Sequence, residues 1–104
     1  MNPATLIAVL DRAVAYYGEA IVLRRASDDI AARAVVRGYL ADEIGGGVVQ
    51  GDRRLVLSPT SLPPDWHPRV GDKAIIGGRV CAAMAVDLIR AAGEVVRIEI
   101  QVRG

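Results

Sequence analysis

Phenylalanine is absent from this chain of 104 residues, and cysteine, histidine and tryptophan each occur once. A lone cysteine, Cys81, excludes an internal disulfide framework and fits a reducing compartment. With one cysteine and one histidine, His67, a zinc site would need carboxylates to complete its ligands, which argues against a metal. Charge of one sign is also missing. The formal net charge is +1, from 13 Lys and Arg against 12 Asp and Glu, so there is neither a basic footprint for nucleic acid nor an acidic one. No apolar run approaches the ~20 residues that cross a bilayer. Asp11 and Arg12 interrupt the apolar pattern of the first helix-like segment, unlike a secretory leader. These absences predict a single soluble intracellular domain without a membrane partner.

The residues present predict one helix followed by strands. Asn2 is placed to cap a helix over 3–17 whose first residue is Pro3, where a missing N–H costs nothing. Leu6, Val9, Leu10, Ala13 and Tyr17 recur at three- and four-residue spacing, forming an apolar stripe that must pack on the barrel or on a neighbour. Gly18 is expected to end the helix in the left-handed conformation.

The period then changes from 3.6 to 2. Strands are expected over 20–25, 33–40, 53–58, 73–76 and 80–88, with Ser27-Asp28-Asp29 as the first turn and Gly77-Gly78 as a tight hairpin. The proline-rich stretch holding Pro59, Pro63, Pro64 and Pro68 reads as irregular, and Trp66 within it as a plug for one end of the core. The closing strand is the cleanest, with Val96, Ile98, Ile100 and Val102 alternating with polar Arg97, Glu99, Gln101 and Arg103. The predicted fold is mainly β: a small six-stranded antiparallel barrel or sandwich over 20–104 with an N-terminal α-helix.

Between the second and third strands lies a loop over 41–52 containing Gly45, Gly46 and Gly47. Residues without Cβ make it pliable, yet Ile44, Val48 and Val49 are apolar side chains for which a purely solvated loop has little use. The combination predicts a segment that orders against a neighbouring protein. The nucleotide fingerprints need such glycines between a strand and a helix N-terminus, and here strands flank both sides.

No catalytic constellation emerges, and no cofactor is expected. His67, between Trp66 and Pro68, reads as a packing residue, since a general base needs a partner that the sequence does not provide. Cys81 reads as a small core residue. The pairs Asp28-Asp29 and Asp42-Glu43 lack the spacing of a calcium loop. Arg53-Arg54 beside Arg24-Arg25 would suit an oligonucleotide-binding barrel, but such barrels stack bases on aromatic residues. Only Tyr39, among Tyr16, Tyr17, Tyr39 and Trp66, falls on an expected strand. A small nucleic-acid-binding barrel therefore remains the alternative, and the arginines are read first as rim or ion-pair residues of a protein interface.

From Val35 to Gly104, about two thirds of the chain, several features follow one another in order. They are Val36-Arg37-Gly38-Tyr39, the acidic and glycine-rich loop, and Gln50-Gly51-Asp52-Arg53-Arg54-Leu55-Val56-Leu57-Ser58-Pro59-Thr60. Pro68-Arg69-Val70-Gly71-Asp72 comes next, and a closing run extends from Gly93-Glu94-Val95-Val96 to Gln101-Val102-Arg103-Gly104. Together they resemble the small head–tail joining (head-completion, or stopper) proteins of long-tailed phages and gene transfer agents.

The resemblance implies a non-enzymatic barrel in the virion neck, and in the bacterial host's cytoplasm during assembly. It would assemble with itself as a ring, a hexamer or dodecamer, between the portal or adaptor and the tail terminator or tail tube. Packaged DNA would be met only by proximity. It also implies that the loop reaches toward neighbours or the channel; as a β-arm, roughly six residues per leg would extend up to ~20 Å. The partner-binding residues expected are Ile44, Gly45, Gly46, Gly47, Val48, Val49, Gln50, Arg53 and Arg54.

Overall fold

The computed structural model describes residues 2–104. Helix α1 spans Pro3–Tyr17, followed by β1 Glu19–Arg25, β2 Asp28–Gly38, β3 Arg53–Leu57, β4 Lys73–Ile76, β5 Arg79–Ala91 and β6 Glu94–Arg103. All pairings are antiparallel, and the order β1-β2-β3-β6-β5-β4 closes on itself through β1 and β4. The six-stranded fold with a leading helix expected from the alternation is the one observed, and closure makes it a barrel. Inward residues such as Leu23, Leu55, Leu57, Ile98 and Ile100 fill it and are essentially inaccessible. Cys81 lies among them, as expected.

Helix α1 begins as its cap predicts, with the Thr5 amide donating to Asn2 Oδ1 at 2.9 Å. It packs outside the barrel, where Leu10 and Val14 meet the outward side chains of Val56 and Val35. Burying those two helix residues contributes about 3–6 kcal/mol gross. The predicted stripe is wider than this contact, for Val9 is 54% exposed and Tyr17 73% exposed. Gly18 is not left-handed; its φ of −85° and ψ of 169° are extended. Glycine is needed there for space, because a Cβ would fall on the Val14 carbonyl oxygen and crowd that of Ala34.

Three strand limits differ from the sequence reading by more than one residue. The first hairpin turns at Ala26-Ser27, with Ala26 at φ 55°, so Asp28 and Asp29 belong to β2. A cross-strand ion pair, Arg24 Nε to Asp29 Oδ1 at 2.7 Å, draws Asp29 into the ladder. β2 ends at Gly38 rather than at Leu40, and β5 runs on to Ala91. Met84 is an extra residue in β5 between the pairs Ala83↔Val102 and Ala85↔Gln101, so it shifts the phase of that strand's alternation.

The proline-rich segment closes one end of the barrel. Trp66 packs against the core as expected. Arg25 lies 4.4 Å from the centre of its ring, binds Asp72 through Nε and Nη2 at 2.9 and 2.8 Å, and donates to the His67 carbonyl at 2.9 Å.

Candidate functional site: a clamped loop on the barrel's outer face

The loop over 41–52 is a folded arch held on the barrel, not an extended β-arm. It opens with a 3-10 turn over Ala41–Glu43, in which Glu43 Oε1 accepts from the Leu40 amide at 2.8 Å. A miniature hairpin follows: Gly45 N–H donates to Val48 O at 2.7 Å, and Val48 N–H returns to Gly45 O at 3.1 Å. The backbone reverses through Gly46 at φ 57° and Gly47 at φ 101°. Side chains at both positions would be strained, so the glycines define one tight shape here rather than a freely moving arm.

Asp52 fastens this arch. Its side chain is fully buried, and it accepts hydrogen bonds from Arg103 Nε and Nη2, both at 2.9 Å, and from Gln101 Nε2 at 2.8 Å. The Val49 amide adds a fourth at 3.1 Å. Gly47 O accepts from the same Gln101 and Arg103 side chains at 2.9 and 3.2 Å. The clamp exists because polar residues of β6 alternate outward with its core residues, and the loop crosses that face. Hydrogen bonding to Arg103, with help from Val49 and Gln101, holds the Asp52 carboxyl far below the usual carboxylate range despite its burial.

The expected partner-binding residues separate into distinct places. Ile44 and Val49 are 41% and 47% exposed, whereas Val48 is half-buried. Gln50 is exposed and, with Tyr39, Ile44, Val49 and Asp52, borders a hollow of about 500 Å³ that also reaches Arg53. The two neighbouring arginines diverge, since successive strand residues face opposite sides. Arg53 shares the inward face with Leu55 and stands 3.5 Å from Cys81 Sγ. Arg54 points outward, lies 5.0 Å from the Tyr39 ring centre, and faces Glu43 at 3.5 Å and Glu99 at 3.6 Å.

No protein-family model, curated protein or solved structure matches this chain.

The four arginines considered for a basic patch do not form one. Arg24 pairs with Asp29 at the start of β2, while Arg53 pairs in register with Gly38 at its end. Arg24, Arg25 and Arg54 each face a carboxylate. His67 lies in the proline-rich segment, with Nδ1 enclosed and without a hydrogen-bond partner among the described residues. Among the described residues, no group of three His, Cys, Asp or Glu stands close enough to hold a metal ion, and no helix is long and apolar enough to cross a membrane.

Sequence reading located the loop but missed its fastening. Asp52 marked only the loop's end, and Gln101 and Arg103 only the polar side of the last strand. The available signal was that alternation: polar residues at regular outward positions beside a glycine-rich loop can bind its carbonyls.

Proposed function

We propose that this protein is a structural component of a virion neck, joining the DNA-filled head to the tail as a ring and carrying out no catalysis. The observation that carries the reading is the clamped loop, which holds Ile44 and Val49 partly exposed on a rigid rim. Apolar side chains fixed in this way suit protein contact, because a surface ordered in advance loses less conformational entropy on binding. The ordered resemblance from Val35 to Gly104 supports the same assignment.

The portal or adaptor on one side and the tail terminator or tail tube on the other are the proposed partners, with further copies of this chain around the ring. The loop reaches them as a preformed knob rather than by folding on contact. A near-neutral surface is suitable beside packaged DNA, since a strongly basic ring would retain DNA as it leaves. The nucleic-acid alternative is less favoured, because carboxylates face most of the arginines it would use. Particles produced without this protein test the proposal: negative-stain images should show filled or leaking heads without tails. Normal tailed particles would overturn it.

A further inference from the structure

The part of the α1 stripe left open forms one wall of a groove. The opposite wall is the far end of the β5–β6 hairpin, which runs past the barrel: β4 pairs with β5 only as far as Ala82, whereas β5 stays paired with β6 to Ala91. Leu6, Val9 and Ala13 face Ile89, Ala91 and Val96 across a space of about 410 Å³. Leu10, Arg90 and Arg97 complete its lining. Arg97 pairs with Glu99 at 2.7 Å, but among the described residues Arg90 has no carboxylate partner.

A matching surface lies elsewhere on the same chain. Leu40, 62% exposed, and Ile44, 41% exposed, bracket the 3-10 turn over Ala41–Glu43. Asp42 lies within that turn, exposed and without a basic partner among the described residues. The turn therefore offers two apolar side chains and one unpaired anion, and the groove offers an apolar lining and one unpaired cation. They do not meet within one chain. Arg54 and Glu99 stand between them, with Glu43 of the turn 3.5 Å from Arg54 and the groove's Arg97 2.7 Å from Glu99.

We propose that the groove between α1 and the β5–β6 hairpin receives the Leu40–Ile44 turn of a second copy of this chain, with Asp42 set against Arg90. The contact joins two different surfaces, so repeating it produces a closed ring or an open filament. This inference rests on the self-assembly part of the neck reading and supplies the receiving surface. A contact of this size is weak as a single pair and gains strength from ring closure and partners.

Disulfide trapping tests it. Val9→Cys and Ile44→Cys both replace exposed residues, and native Cys81 is buried. In concentrated solution, mixing the two proteins should give the mixed dimer at least about tenfold above either homodimer, because complementary surfaces meet only across the pair. Asp42→Arg or Arg90→Glu alone should abolish the product, and combining Asp42→Arg on one copy with Arg90→Glu on the other should restore it. A yield no greater than that of a Val9→Cys and Val70→Cys control pair, or equal homodimers, would overturn the groove assignment. Tailless particles together with no trapping would remove the groove while keeping the neck reading. Trapping together with normal tailed particles would do the reverse.

Discussion

Replacing Asp52 with Asn should loosen the loop while leaving the barrel folded. The wild-type carboxylate receives four hydrogen bonds in a fully buried position, two of them from one guanidinium. Asparagine keeps the shape but loses the charge and turns an N–H₂ toward existing donors. A charge-assisted hydrogen bond contributes about 1.5–3 kcal/mol net. Arg103, 39% exposed, can be rehydrated when its partner is lost, which limits the total. The expected cost is about 2–4 kcal/mol, or a fall of roughly 10–20 °C in Tm for a domain of this size.

Urea unfolding followed by Trp66 fluorescence at the opposite end of the barrel would report a lower midpoint with an unchanged slope. Amide exchange at Gly45 and Val48 would rise. The pH dependence has a defined sign. The folded carboxyl lies below its unfolded value, so the unfolded chain binds more protons as pH falls. Wild-type stabilisation is complete above the unfolded pKa of about 3.9 and is lost as acid carries the pH down toward the folded value. Asp52→Asn should flatten that dependence. Unchanged stability with protected loop amides would refute the clamp.

Arg25→Ala removes one member of a pair whose partner, Asp72, is only 4% exposed, and should cost about 3–5 kcal/mol with a red shift of Trp66 emission. For Asp72 burial is the largest influence and raises the pKa. Hydrogen bonds from Arg25 and the Arg69 amide, with the charges of both arginines, outweigh it and lower the value. The benefit of the pair should therefore also disappear in acid. Gly18→Ala should destabilise by about 1–3 kcal/mol in urea titrations, as overpacking against backbone does. Deleting 45–50 should preserve cooperative unfolding of the barrel, measured by circular dichroism, while ring formation with neck partners fails.

Much of the barrel is legible because its rules are local. Alternation from Val96 to Val102 defines β6, and Gly77-Gly78 provides the hairpin that prevents the Ala-rich start of β5 from being read as helix. Local signals fail where a distant partner decides. Asp28-Asp29 has turn composition, but pairing with β1 places it in a strand. The stripe on α1 has the correct period, yet period alone cannot say that Leu10 and Val14 meet Val35 and Val56 while Val9 and Tyr17 remain open. The loop illustrates the limit most clearly. Its glycines and apolar residues are evident, whereas its rigidity depends on Gln101 and Arg103, 49 and 51 residues beyond Asp52. No local pattern encodes that closure.

Electron cryo-microscopy of the intact particle would test the central claim most directly. A ring of these barrels at the head–tail junction, with the loop over 41–52 in contact with neighbouring protein, is the predicted result. Particles whose junction is complete without this chain would contradict the account.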